Sequence, residues 1–457
     1  MRHVWRLLSA CVLALVPACV SAHAFGVQYT LPLPIEFYFL GGSVALIASF
    51  AILGLFSTPT SSHKQFKTEY VMASWWKTLF SAIGVVGLVV ILVLAFFGAD
   101  DFTNNPTPVL FWVVFLLGMT YFSALVGGVW ERINPFRTLA ELVVGKRHEP
   151  LVAYPEKLGY IPALIFYFGL IRFELLSQGL GAYPQNIGIV LVAYAMMSIL
   201  GTIVFGAEKW LKYGDFFTVF FRLVGKFAPL YIEDGRIVCT LPGERLVHEQ
   251  ASRVSLLFFI LFMLSSTAFD GILETAPWIS LIQQELIILG VYQLFLHVAL
   301  FISPLLFFVL YAFAVWLMKY LMGTTASLHH LLLRFAYSLV PIVVAYHFAH
   351  YFPLIFFQGQ TIVPMLSDPL GLGWNVFGTA DVAYNISIIG TQTIWYTQVV
   401  AIVIGHIFAA YIAHRIALRE CTTRRQVIVG QLPMLALMVL YTVFGLWILS
   451  LPFGVGV

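Results

Sequence analysis

Charge is what this sequence has least of. Only 10% of its 457 residues are Asp, Glu, Lys or Arg, against 61% hydrophobic. That balance excludes an ordinary soluble globular domain and points to an integral membrane protein. The formal net charge is just +3, so no nucleic-acid partner is implied. Cysteine is scarce as well. Of four, Cys11 and Cys19 lie in the N-terminal stretch and Cys239 and Cys421 in basic loops, so no disulfide framework is expected. There is no HExxH, no cysteine pair, no internal repeat and no low-complexity tract. The two halves show no inverted symmetry, which argues against a standard secondary-transporter plan.

What is there is apolar and ordered. Residues 1–22 read as a cleavable signal peptide, with Arg2 and Arg6 ahead of a short apolar core and small residues up to Ala22. Residues 23–457 then form a single integral membrane domain. Runs long enough to cross about 30 Å of hydrocarbon occur near 35–56, 78–98, 108–129, 158–176, 186–206, 254–269, 286–317, 335–357, 392–413 and 430–451. They predict an all-α, polytopic helix bundle of about ten spans. The sixth is expected to be short and the seventh long, with a kink at Pro304.

Lys and Arg set the orientation. Apart from Arg2, Arg6 and Arg172, every one of the 24 falls in 57–77, 130–157, 207–253, 318–334 or 414–429. With those loops inside, the mature N-terminus is outside and the outer loops carry no basic residue. Acids such as Asp100, Asp101, Asp368 and Asp381 map to the outer side, either as solvated loop tips or as an anionic vestibule. Within the inside loop 207–253, "GDFFTVFFRLVGKFAPL" reads as an interfacial amphipathic helix. "LYIEDGRIVCTLP" reads as a hairpin turning at Asp234-Gly235. The long outer loop 358–391, rich in Gly, Pro and aromatics, reads as a lid or binding loop, an interfacial plug being the alternative.

Four histidines fall in one central slab. At about 1.5 Å per residue, His297, His347 and His406 lie roughly 15–21 Å from the outer ends of successive spans, and His350 is one turn shallower than His347. His347 and His350, at i and i+3, share a face. An isolated polar group at this depth is costly. A shared site is therefore expected, with separate structural hydrogen bonds as the plainer alternative. Its occupant could be zinc or another transition metal, haem b on two axial imidazoles, or the protons of a relay. Cleavage after Ala22 would expose His23, whose amine and ring together suit copper. Asp270, at the outer end of the sixth span, is a candidate carboxylate ligand or base, or a helix-end cap. Arg172 and Glu174 are expected to snorkel to the interface. His329, His330 and His414 read as interfacial.

The stretches "HAFGVQYTLPLP", "INPFRTL", "VGKFAPLYIEDGRIV", "FDG", "LVPIVVAYHFAHYF", "SDPLGLGWNVFGTAD" and "GHIFAAYIAHRIAL" together resemble a family of bacterial polytopic membrane proteins called fenitrothion hydrolases. The likeness runs from residue 23 to about 420, and the two His-bearing motifs are its most specific part. It implies hydrolysis of organophosphate triesters with release of a nitrophenol, in a bacterial inner membrane. Such substrates are neutral, lipophilic small molecules, and a histidine-held metal would polarise the phosphoryl oxygen and activate water. On that expectation His347, His350 and His406 hold the metal, His297 is a fourth ligand or base, and Asp270 or Asp381 accepts the water's proton. The competing expectation is a non-hydrolytic protein: a metal or haem binder, electron carrier or cation permease. A third is an assembly factor that meets protein partners.

Overall fold

The apolar runs fold as expected for segments whose backbone must satisfy itself. In the computed structural model, residues 32–56, 66–67, 75–101, 103–145, 149–233 and 236–451 are described. The segment 1–22, expected to be a signal peptide, and His23 lie outside them. Among the described residues, nine helices are long and apolar enough to cross a membrane. The protein is thus an all-α, multi-pass helix bundle.

The principal helices are α1 (Ile35–Phe56), α2 (Trp75–Phe97), α3 (Val109–Leu125), α4 (Ile161–Leu175), α5 (Pro184–Phe205) and α6 (Phe216–Gly225). They continue with α7 (Val254–Leu273), α8 (Tyr292–Met322), α9 (Val340–Phe357), α10 (Thr391–Glu420) and α11 (Leu432–Ser450). Proline stands in the first turn of α4, α5, α9 and α11, where its missing N–H costs nothing. The third predicted span is the short one: α3 is 17 residues from Val109 to Leu125, and its first half, Val109–Leu117, is wound as a π-helix.

Helix α7 stands at the centre, buried almost all round from Leu256 to Gly271. A helix apolar on every side belongs in a core. Helices α2 and α8 instead present Phe97, Phe301 and Leu306 outward, at 76%, 72% and 60% exposure, as a lipid-facing surface would. The sixth span was expected to stop at 269. It runs on to Leu273, because Asp270 is compensated inside the bundle rather than ending the helix. Helix α8 passes through Pro304 without interruption and starts at Tyr292, after Gly290 closes the preceding short helix at φ +65°.

Helix α6 corrects a second expectation. It was read as an interfacial helix, yet every residue from Phe216 to Gly225 except Arg222 is buried. Aromatic rings pack against it from several neighbouring elements. Phe217 meets Phe115, Trp130 and Tyr194, and Phe220 meets Tyr167 and His347. Asp215 caps its N-terminus, accepting from the Thr218 amide at 2.8 Å and from the Tyr194 hydroxyl at 2.7 Å. The hairpin does form, as β3 (Leu230–Glu233) and β4 (Arg236–Cys239); its turn, 234–235, lies outside the described residues. Two short segments, β1 (Phe66–Lys67) and β2 (Val126–Gly127), complete a sheet of order β1-β4-β3-β2.

Candidate functional site

A cavity of about 400 Å³ opens between α3, α4, α6, α7 and α9. Phe216 and Phe220 of α6 line its deep part, so the helix read as a surface connector helps wall the site. Trp112, Leu116 and Leu117 come from α3, part of it π-wound, a local form frequent at functional sites. The polar lining is sparse: Tyr167, Ser266, Thr267, His347, Tyr351 and Gln358, with Thr103 and Thr361 at the mouth and, among the described residues, Glu174 the one charged side chain. Tyr167 and Ser266 share a hydroxyl hydrogen bond of 3.2 Å. A mostly apolar pocket of this size with a few polar groups suits a small lipophilic ligand.

His347 is 9% exposed and borders this cavity. Its ring meets Tyr121, Phe220 and Tyr351 at centroid distances of 6.0, 6.2 and 4.8 Å. Among the described residues, neither its Nδ1 nor the hydroxyl of neighbouring Tyr121 has a hydrogen-bond partner. Buried polar atoms are rarely left so.

One turn on, His350 faces elsewhere. Its Nε2 lies 2.9 Å from Oδ2 of Asp270 on α7, and the Tyr351 hydroxyl donates to the same oxygen at 2.8 Å. Asp270 is 2% exposed. It is therefore no cap at a span mouth but a buried acceptor shared by two donors of α9, the arrangement a carboxylate at this depth requires. Asp270, His350 and Tyr351 form one cluster, and Tyr351 carries it to the cavity wall.

The other candidates lie apart, and the expected four-histidine cluster does not assemble. On α8, His297 has both ring nitrogens engaged: Nδ1 with the Gln293 carbonyl at 2.6 Å, and Nε2 accepting from Arg172 Nε at 3.0 Å. That pairing also replaces snorkelling as the account of Arg172. On α10, His406 lines a different, smaller void, and its Nδ1 lies 2.8 Å from the Ile402 carbonyl. Asp381 is exposed and lines an outer vestibule of about 670 Å³ with Asp368, Trp374 and Tyr384. The vestibule and the deep cavity share Thr103, Thr361 and Met365, so the two are contiguous. His414, expected at the interface, is buried at 2% exposure with Gln431 donating to its Nδ1.

The chain matches no family model, no curated protein and no solved structure.

A metal was expected on His347, His350, His406 and His297. Among the described residues no group of three His, Cys, Asp or Glu side chains is placed to hold one. The reason is visible in each ring: His297 has no free lone pair, His350 is bound to Asp270, and His347 and His406 line separate cavities. The described residues do not fit a three-ligand centre, and His23, also expected as a ligand, lies outside them. Haem b fares similarly, since neither cavity is lined by histidines from two helices. The sequence reading missed Tyr351, Tyr121 and Phe220. Tyr351 had a signal, at i+4 from His347 and so on the same helical face. Phe220 had none, because its helix was placed at the surface.

Proposed function

We propose that this protein is a membrane-embedded hydrolase of neutral, lipophilic organophosphate triesters, the activity implied by its resemblance to the fenitrothion hydrolases. The observation that carries the reading is a buried imidazole, His347, on the wall of an apolar cavity of about 400 Å³, with its Nδ1 unpartnered among the described residues. A proton acceptor held in that way needs only a water and an electrophile beside it.

In this reading the triester enters through the vestibule and lays its apolar groups against Trp112, Phe216 and Phe220. Water attacks phosphorus as its proton passes to His347. The new P–O bond forms while the bond to the aryl oxygen breaks, and the aryl oxide leaves with the electron pair. Tyr167 and Ser266 offer hydroxyls toward the phosphoryl oxygen. Asp270 and His350 act as positioning residues, holding Tyr351 against the His347 ring. Both products are anions. The lining of cavity and vestibule carries Glu174, Asp368 and Asp381 and, among the described residues, no Lys or Arg. Such a path admits neutral substrates and repels anionic products. The Lys and Arg bias supports a vestibule on the outer side of the membrane, which is the periplasmic side if the bacterial inner membrane implied by the resemblance is its home.

The test is turnover of a chromogenic nitrophenyl phosphotriester by the purified full-length protein. His347→Gln is expected to lower kcat/KM by at least about 100-fold, the usual contribution of a positioned acid–base group. His297→Gln is expected to stay within about twofold, since that ring bonds only Arg172 and its own helix. No turnover, or turnover indifferent to His347→Gln, removes the proposal. Loss of turnover on chelation would instead return the chemistry to a metal held partly by residues such as His23.

A further inference from the structure

The cavity bordered by His347 has a property that the hydrolase reading leaves unused: its rings and its charge together select a class of ligand. The rings form a continuous wall. The Tyr167 ring lies 4.9 Å from that of Phe216 and 5.8 Å from that of Phe220, centroid to centroid. Phe220 lies 6.2 Å from His347, and His347 lies 4.8 Å from Tyr351. All five line the cavity, from α4, α6 and α9.

One carboxylate joins that wall. Tyr167, Leu170, Ile171 and Glu174 all line the cavity, and they stand at i, i+3, i+4 and i+7 of α4. That spacing is a single helical face, so Glu174 is turned the same way as Tyr167, two turns nearer the mouth. Its charge also acts on both the Tyr167 and the Tyr351 hydroxyls, which places it within electrostatic reach of both ends of the wall. Among the described residues the lining holds no Lys or Arg. The contiguous vestibule adds Asp368 and Asp381. The field from mouth to wall is therefore negative.

These features narrow the ligand. An anion is repelled. A bare metal ion requires several oxygen ligands, and the lining supplies one carboxylate. A compact, strongly hydrated ammonium would lose its water to a mostly apolar surface. A quaternary ammonium carries its charge beneath alkyl groups, and aromatic rings attract it through their π-electrons while burying its apolar area. About 400 Å³ accommodates such a group with an aryl or short alkyl substituent.

We propose that this cavity binds lipophilic organic cations of the quaternary-ammonium type, with Glu174 as the counter-charge and the rings of Tyr167, Phe216, Phe220 and Tyr351 as the seat. The binding involves no triester, so its failure and that of the hydrolase reading are distinguishable.

The test is calorimetric titration of the purified full-length protein with (3-hydroxyphenyl)trimethylammonium and with its uncharged isostere, 3-tert-butylphenol. The cation is expected to bind at least about 10-fold more tightly, because a desolvated cation gains more from aromatic rings than an exposed one. Glu174→Gln is expected to abolish that preference, and Asp381→Asn, which changes only the vestibule, to keep it. A density map of the wild-type protein with (3-iodophenyl)trimethylammonium is expected to place the iodine peak among the five rings. That second measurement decides the matter even if Glu174→Gln does not fold. Equal affinities, a preference that survives Glu174→Gln, a preference lost in Asp381→Asn, or an iodine peak in the vestibule or at the lipid-facing surface would each overturn the proposal.

Discussion

Replacing Asp270 with alanine tests the buried cluster most sharply. The carboxylate accepts from His350 Nε2 at 2.9 Å and from Tyr351 at 2.8 Å, and all three side chains are within the bundle. Hydrogen bonds to a charged group contribute about 1.5–3 kcal/mol each, so two are lost at about 3–6 kcal/mol. Removing the carboxylate relieves part of its own desolvation but strands two donors. The net expectation is about 3–5 kcal/mol of destabilisation, the range for breaking a buried pair by deleting one partner. The variant is best read beside Tyr351→Phe and the double variant in a denaturation cycle in lipid or detergent. Both single changes delete the same bond, so their costs should not add. The shortfall is expected at about 1.5–3 kcal/mol, the contribution of one charge-assisted bond. Neutral hydrogen bonds between membrane helices average only about 0.6 kcal/mol in such cycles. A coupling at or below that value, or a cost of Asp270→Ala under about 1 kcal/mol, would show that the carboxylate is not the shared acceptor described.

Three further expectations concern the scaffold. Asp215→Ala removes the cap of α6 and the acceptor for the Tyr194 hydroxyl, and should cost about 2–4 kcal/mol in thermal unfolding, with Asp215→Asn costing clearly less. Gly405→Leu drives a side chain into Ala345 of α9, since even a Cβ there would overlap it. It should destabilise by at least about 1–3 kcal/mol and, by displacing α9, lower activity more than a conservative change on the lipid face. Asp368 titrates below its ordinary value of 3.8: burial raises it, but the amides of Leu372, Gly373, Trp374 and Gly371 outweigh that. A depressed carboxylate stabilises above its unfolded pKa and stops doing so as pH falls through the folded one. Amide protection at Leu372 and Gly373, measured by hydrogen exchange, should therefore hold from pH 8 to 5 and fall only below about pH 3.8. Asp368→Asn should lack that transition.

Hydropathy alone located the spans, because an apolar run must form a helix to satisfy its own backbone in lipid, though α8 starts six residues later than expected and α10 ends seven later, at Glu420. It failed at α7 for a physical reason. A carboxylate in an apolar run reads as the end of a span, and only the partners on α9 show that it can be kept inside. It failed at α6 because a Phe-rich segment with basic residues looks alike whether one face or every face is covered. Depth was legible for the histidines, since it follows from the rise per residue, but direction was not. Positions i and i+3 differ by about 60° around a helix, enough for His347 to border the cavity while His350 meets α7. Which way each ring turns depends on contacts such as Gly405 with Ala345, distant in sequence. The sequence offers His297 as a ligand because nothing in it says that Arg172 reaches the ring's second nitrogen.

Bound ligand tests the cavity beside His347 most directly. The measurement is a density map of the full-length protein with a non-hydrolysable phosphotriester analogue. Density for the analogue is expected between Trp112, Phe220 and Tyr351, with its phosphorus beside His347. Density confined to the vestibule or to the lipid-facing surface, or imidazoles of His347, His350 and His406 drawn together around one ion, would contradict it.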